Sequence, residues 1–276
     1  MLNRKIIKTV ILLVICLIFV YLLKNLVQIN YESYELRAEA NNNVSNKPGD
    51  NLTGYPIDIV PNIVHYVLFT IHKIEIAHFI SILSVLKNHR PEKIMIHCDC
   101  DQLEGDYWER VLKIAEKTST IIKVRRVERI KQIFGIKFNE KWIDWHASDV
   151  TRIKVLQEFG GIYLDRDMYV VKSLNEFLKY KMTVSWNLGL NLGSQILIGH
   201  KNARFLNLYI EIYHYYDSIQ WYYNAGQLPR KMILHKKPEL VHRIMDWFSD
   251  NGDKLCPIVF NKILSQLERR VPYNTS

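Results

Sequence analysis

The sequence predicts an α/β domain, an open sheet with helices on its faces, held behind an N-terminal membrane anchor. Three observations carry that prediction. From residue 57 onward, short apolar runs suited to buried strands alternate with helical stretches. A cationic N-terminus leads directly into an uncharged apolar run. The composition, 48% hydrophobic and 12% aromatic over 276 residues, suffices for one large packed domain and excludes a disordered chain.

At the N-terminus, "MLNRKIIKTVILLVICLIFVYLLKNLVQIN" opens with Arg4, Lys5 and Lys8 and runs uncharged from Thr9 to Leu23. With Ile6 and Ile7 added and Lys8 snorkelling, the run nears the ~17-residue minimum for a membrane span. No small-x-small cleavage site follows closely, Ala38-Glu39-Ala40 being too distant, so the run reads as an uncleaved signal anchor over 9–23. Cations precede it, while Glu32, Glu35 and Glu39 follow. The positive-inside rule then puts residues 1–8 in the cytoplasm and the rest in a lumen. So short a span suits a thin early-secretory membrane, and the expectation is a single-pass type II protein of the Golgi.

Residues 24–56 are polar and end in "NNNVSNKPGDNLTGYP", which reads as a stem; residues 57–276 form the expected lumenal domain. Sequons at Asn43, Asn51 and Asn274 all fall on the lumenal side as candidate N-glycosylation sites. Of four cysteines, Cys16 lies in the span; Cys98, Cys100 and Cys256 allow one disulfide and one free thiol, and the pairing stays open. The C-x-C lacks the second pair a zinc site needs. The net charge is +9, and its densest cluster, "KVRRVERIK" at 123–131, alternates with apolar residues. That pattern describes an element with one solvated face, so nucleic acid is not the expected partner.

Within the domain, "PNIVHYVLF", "KIMIHCD" and "STIIKVRRV" read as three strands of a parallel sheet. Between them, "HFISILSVLKNHRPEK" is helical until Pro91 and "DYWERVLKIAEK" is helical throughout. In "WIDWHASDVTRIKVLQEFGG" a 3.6-residue period puts Trp145, Asp149, Arg152, Leu156 and Phe159 on one stripe, with Ile153 beside it. Ala147, Thr151, Lys154 and Glu158 take the opposite, solvent side. The inner face therefore carries an acid and a base, which is costly unless they are paired or bound to something. Gly160-Gly161 ends the helix and turns the chain into "IYLDRDMY". If the strand continues through these residues, Asp165 and Asp167 share one side and Arg166 points away. Two adjacent carboxylates repel unless a cation sits between them, and a hard divalent metal, Mn²⁺ or Mg²⁺, would hold both and still accept phosphate.

The segment "HASDVTRIKVLQEFGGIYLDRDMYVVKSL" closely resembles the sugar-binding region of the DXD glycosyltransferases of family 32. That family includes α-1,4-galactosyl- and α-1,4-N-acetylglucosaminyltransferases of animals and yeast initiating mannosyltransferases. The shared pattern is Ser148, Asp149, Arg152, Gly160, Gly161, Tyr163, Asp165 and Asp167. Likeness extends from about Pro61 to Pro238, taking in "VPNIVHYVLF", with His65 near the nucleotide, and "NLGLNLGSQILIGHKNARFL", with Asn191 facing the sugar. The resemblance implies a GT-A fold, a Rossmann-like open sheet that binds a nucleotide-sugar donor at its carboxyl edge. His65, Asp149, Arg152, Gly161, Tyr163, Asp165, Asp167 and Asn191 would then contact donor, with Asp165 and Asp167 holding the metal. It further implies retention of anomeric configuration and a UDP-sugar as the preferred donor. The product would be a hexose or N-acetylhexosamine on a glycolipid or glycoprotein glycan.

The chain departs from the pattern in two places. Arg166 fills the middle of the motif, where the family more often has a small or apolar residue. The C-terminal region offers no equivalent of a later metal-site histidine, since His235 and His242 read as histidines in helices. A binding protein that keeps the donor contacts without turnover is therefore the alternative. A second D-x-D, Asp99 and Asp101 in "HCDCD", lacks the preceding Gly-Gly and reads as a loop beside the nucleotide.

Overall fold

The computed structural model describes residues 49–187 and 189–245. The expected span at 9–23, most of the stem, Cys256 and the sequons at Asn43 and Asn274 lie outside the described residues. No helix among the described residues is long and apolar enough to cross a membrane.

Seven strands form one sheet in the order β3-β2-β1-β6-β8-β7-β9. The expected first strand is β1 (Ile63–Leu68), paired in parallel with β2 (Lys93–Cys98) and β6 (Gly161–Leu164); β2 pairs in parallel with β3 (Ile121–Arg126). The sheet is mixed rather than parallel throughout. β8 (Gly193–Gly199) runs antiparallel to both β6 and β7 (Met182–Ser185), and β9 (His242–Ile244) is parallel to β7. A small hairpin, β4 (Gln132–Ile133) with β5 (Ile136–Lys137), stands apart.

Alternation along β1 divides the core. Val64, Tyr66 and Leu68 pack with Phe79 and Ile82 of α1 (Ile76–Ser84) and with Trp108 and Val111 of α2 (Asp106–Thr118). His65 turns to the other face, where its ring stacks on Phe159 of α3 (Ile143–Phe159). Helix α1 continues as a π-helical turn to His89 and stops where Arg90 adopts a left-handed conformation ahead of Pro91. Cys98 and Cys100 pair as a disulfide at the end of β2, which settles the pairing left open by the sequence.

Helix α3 differs from its expected amphipathic form. Ala147 and Thr151, placed on the solvent side by the period, are buried, while Trp145 is 47% exposed. The cause is α4 (Arg204–Glu211), whose buried Phe205, Leu206, Leu208 and Tyr209 belong to a second layer packed on α3. Lys154 and Glu158 keep the exposure the period assigns them, and the cover of α4 hides the rest of that face. His242 likewise sits in β9 rather than in a helix, stacked on Tyr180 with ring centroids 3.5 Å apart.

Residues 49–56, on the stem side of the expected boundary, are fastened to the domain. The Asn51 amide donates to the carbonyls of Leu240 at 2.7 Å and Glu239 at 3.2 Å, and its oxygen accepts from the Met182 N–H at 3.2 Å. His242 Nδ1 bonds the Asn51 carbonyl at 3.0 Å. Strand β7 and the segment that leads into the edge strand β9 are thus tied through one residue.

Candidate active site

Leaving β1, the chain goes outward through β2 and β3, then returns to place β6 on the other side of β1. Such a reversal of strand order leaves a crevice at the carboxyl ends of the two central strands. A cleft of about 210 Å³ opens there. Val67, Phe69 and Thr70 come from the end of β1, Ser148 and Arg152 from α3, and Tyr163 with residues 165–167 from β6 and beyond.

The Gly160-Gly161 pair sets the approach of β6 to β1. Both have positive φ, 68° and 111°. A Cβ on Gly161 would lie 2.5 Å from the Ile63 carbonyl oxygen and 2.9 Å from His65 Nε2. Only glycine fits so close a backbone approach. His65 is therefore part of the packing behind the cleft. It is fully buried, with Nε2 2.8 Å from the Gly160 carbonyl and Nδ1 3.0 Å from His97 Nε2. Burial lowers its pKa to about 4 and that of His97 to about 3, so both rings are neutral. It does not line the cleft, because it lies one pleat repeat deeper than Val67 on the same face of β1.

Strand β6 ends at Leu164, and Asp165 to Met168 form a turn closed by the Met168 N–H donating to the Asp165 carbonyl at 3.1 Å. Strand alternation therefore does not govern the acidic pair. Arg166, expected to point away, lines the same cleft as Asp165 and Asp167, because a turn carries three successive side chains around one rim.

Arg152 organises the charges. It is 6% exposed, and its Nη2 reaches Asp149 Oδ1 at 2.9 Å and Asp165 Oδ1 at 3.3 Å. Nη1 donates to the Ser194 carbonyl at 2.8 Å and hydroxyl at 3.1 Å, and Nε to the Ser148 carbonyl at 3.4 Å. Its guanidinium lies 4.6 Å over the Tyr163 ring, whose hydroxyl donates to Asp165 Oδ1 at 2.6 Å. Burial raises the Asp149 carboxyl to about 6, against the pull of Arg152 and with the help of Asp165. Asp165 is raised by burial as well, opposed by Arg152 and Tyr163. The acid and base expected on the inner face are thus paired, and the pairing reaches to the DXD turn.

Both protein commitments of Asp165 fall on Oδ1, which leaves Oδ2 for a hard cation beside the exposed Asp167. Two carboxylates opening on a phosphate-sized cleft fit Mn²⁺ or Mg²⁺, whose other positions water and phosphate oxygens fill. Among the described residues no third His, Cys, Asp or Glu joins them in one metal-binding group.

Residues 81–183 match the family described as glycosyltransferase sugar-binding region containing DXD motif. That match takes in Asp149, Arg152, Asp165 and Asp167 of the site. The match stops short of His65 and Asn191, and neither residue lines the cleft: Asn191 accepts a hydrogen bond from Arg230 Nη1 at 3.2 Å, in the connection before β8. A curated relative is glucan organizing enzyme 1 of Cryptococcus neoformans var. grubii, 24% identical over 218 residues, 71% of this chain. The aligned part spans 57% of that relative's length. Similar solved structures include the PaToxG glycosyltransferase, 19% identical with a TM-score of 0.43, covering 89% of this chain and 84% of that one. The galactosyltransferase LgtC, solved with donor and acceptor sugar analogs, is 16% identical with a TM-score of 0.39, covering 60% of this chain and 68% of the other.

Sequence reasoning missed Ser194, which pins Arg152, and the β1 end residues Phe69 and Thr70. The second D-x-D acts through one of these: the Asp99 carboxylate accepts from the Thr70 N–H at 3.0 Å, and Asp101 pairs with Arg126 on the surface. Ser194 gave only a weak signal, a small hydroxyl at the head of an apolar run. Its importance depends on β8 being antiparallel to β6, which brings the start of β8 to the end of β6.

Proposed function

We propose that the chain is a metal-dependent, retaining glycosyltransferase. It would move a hexose or N-acetylhexosamine from a nucleotide sugar, UDP-linked by preference, to a glycan acceptor, from a Golgi membrane with its domain in the lumen. The observation that supports this best is the buried Arg152 held between Asp149 and Asp165 at the wall of the switch-point cleft. Departure of a nucleoside diphosphate is the difficult part of such a transfer, because negative charge grows on the leaving phosphate. A divalent cation held by Asp165 and Asp167 would supply the Lewis acidity that takes up part of this charge. Arg152 adds a fixed positive charge that needs no reorganisation, since Ser194 and Ser148 hold it from behind. Asp149, with its raised pKa, faces the space next to Arg152 and suits hydrogen bonding to sugar hydroxyls. Among the described residues no carboxylate beside Arg152 stands free as a covalent nucleophile, because Asp149 and Asp165 are both tied to it. Retention would then follow from attack by the acceptor hydroxyl on the face the diphosphate leaves, its proton passing to the departing phosphate oxygen.

The deciding experiment is a donor screen on the full-length chain, with UDP-galactose, UDP-N-acetylglucosamine and GDP-mannose, scoring nucleoside diphosphate release with and without Mn²⁺. Metal-dependent release from one donor is expected. Nucleotide binding without release from any donor would reduce the protein to a binder.

A further inference from the structure

Beyond Arg152 and Asp165 a second pocket of about 190 Å³ opens in front of Asp149. One of its walls comes from far along the chain: Trp221, Tyr222 and Ala225, in the stretch after α4. None of these three lines the first cleft. The stretch is folded within itself at Asn224. The Asn224 side-chain oxygen accepts from the Asp217 N–H at 2.8 Å, and its amide donates to the Asp217 carbonyl at 2.7 Å. These bonds give residues 217–224 a shape, but they do not set where that shape sits.

Its placement against α3 comes from His146. The ring is fully buried, one turn before Asp149 on the same helix. Nε2 lies 3.3 Å from the Trp221 carbonyl oxygen, and Nδ1 meets the Tyr216 hydroxyl. A carbonyl can only accept, so Nε2 carries the proton, and the bare Nδ1 accepts from the hydroxyl. The Tyr216 oxygen takes the backbone N–H of Asn139 in turn. Burial lowers the pKa of His146, against the pull of the Trp221 carbonyl and Asp217, and so keeps the ring in the neutral form these bonds require. A phenylalanine would fill the same space with no polar group to satisfy. What the imidazole adds is direction, since both of its bonds leave α3 for residues at or within the loop.

We propose that His146 is a positioning residue for the transfer: it sets residues 216–222 against α3 and so fixes the wall that faces Asp149. The inference rests on the transferase reading above. The Tyr222 hydroxyl donates to the Leu192 carbonyl and ties the other side of the wall to the connection before β8. Loss of His146 would therefore tilt the wall without releasing it. The first cleft, where a nucleoside diphosphate would meet the acidic turn, borrows nothing from this loop. Turnover and nucleotide binding should accordingly respond differently to His146.

The test uses the full-length chain and whichever donor of the screen gives metal-dependent release. Three quantities are measured: kcat, Mn²⁺-dependent UDP affinity by calorimetry, and amide hydrogen exchange over 217–223. His146→Phe should lower kcat about tenfold and speed that exchange, while UDP affinity stays within about twofold. His146→Gln, whose amide N–H can take the place of Nε2, should restore most of the loss in kcat. Tyr216→Phe removes one hydroxyl and keeps the ring, and it serves where His146→Phe fails to fold. It should lower kcat by a smaller factor with UDP affinity intact. An unchanged kcat in His146→Phe, or in Tyr216→Phe where that variant stands in, overturns the inference. So does a glutamine variant as slow as the phenylalanine one, or a UDP affinity that falls in step with kcat, which would make His146 a support of the fold alone. A wild-type chain that releases no nucleotide from any donor sinks the transferase reading and this role in transfer with it. Wild-type turnover with indifferent His146 variants sinks only the inference about His146.

Discussion

The parallel half of the sheet, β3-β2-β1-β6, and the mixed half, β8-β7-β9, in which β8 runs against its neighbours, give the cleft different things. The first ends in the acidic turn and supplies Asp165 and Asp167, the proposed metal ligands, and the niche at the end of β1. The second supplies little charge. It contributes Ser194, which fixes the direction of Arg152, and Gln195, whose carbonyl accepts from the Asp165 N–H at 2.9 Å. Reactive groups thus come from one half and their posture from the other. Change in the first half should cost chemistry, and change in the second should cost alignment and stability.

The largest effect is expected at Asp167, in the parallel half. Asp167→Ala should reduce turnover by about 100-fold or more and erase the rise in melting temperature on adding Mn²⁺. Without metal its melting should be equal or slightly higher, because one of two neighbouring carboxylates is gone. A full Mn²⁺ response in this variant, measured by calorimetry, would remove the metal from that half.

Arg152 belongs to both halves, and Arg152→Lys keeps its charge while losing the fork. Turnover should fall by roughly 10- to 100-fold, and stability by about 1–3 kcal/mol, as buried acceptors on Ser194 and Asp149 lose partners. Chemical denaturation beside steady-state kinetics separates the two. A loss of stability alone would make Arg152 a structural strut.

Asp149→Asn sharpens the comparison through pH. The folded pKa, raised to about 6 from 3.8, means the folded chain keeps a proton that the unfolded chain has released. The stability this group contributes is complete below the unfolded value and lost as pH rises through about 6. Asparagine has no such dependence. The melting temperature of the variant should therefore gain on the wild type between pH 4 and pH 7, while donor turnover falls at every pH. Parallel melting curves across that range would contradict the buried, desolvated carboxyl.

Ser194→Ala, in the mixed half, should produce the smallest change: about 1 kcal/mol of stability and a few-fold in turnover, since the Ser194 carbonyl still holds Arg152. A loss as large as that at Asp167 would mean the hydroxyl touches substrate.

The parallel half was legible in the sequence because its signals are local. Strands such as "KIMIHC" and "IIKVRR" are bounded by helices and turns, and the motif around Asp149 and Asp165 lies within one run of chain. Ser194 and Trp221 were not legible, because they reach the site only through the reversed direction of β8 and through a loop tied to His146. Arg166 was misplaced for a different reason. Alternation is a rule for strands, and the strand stops one residue before the motif begins. His65 was attributed to the nucleotide by resemblance, but its place is decided by depth along β1, which no motif records.

The seat of Asn51 bears on how the chain matures. Both of its amide hydrogens are occupied by the carbonyls of residues 239 and 240, and the Thr53 hydroxyl of the same sequon donates to Asp50 at 2.9 Å. An N-linked sugar would occupy one of those hydrogens' positions and need the space where the two carbonyls stand. Sugar and seat compete for one nitrogen. In a chain entering a secretory lumen, the contest is decided by timing: modification has its chance only before residues 239 and 240, far downstream, have been made and docked. The fraction of molecules carrying a glycan at Asn51, read by mass spectrometry, would then be a clock for how soon the last edge of the sheet closes.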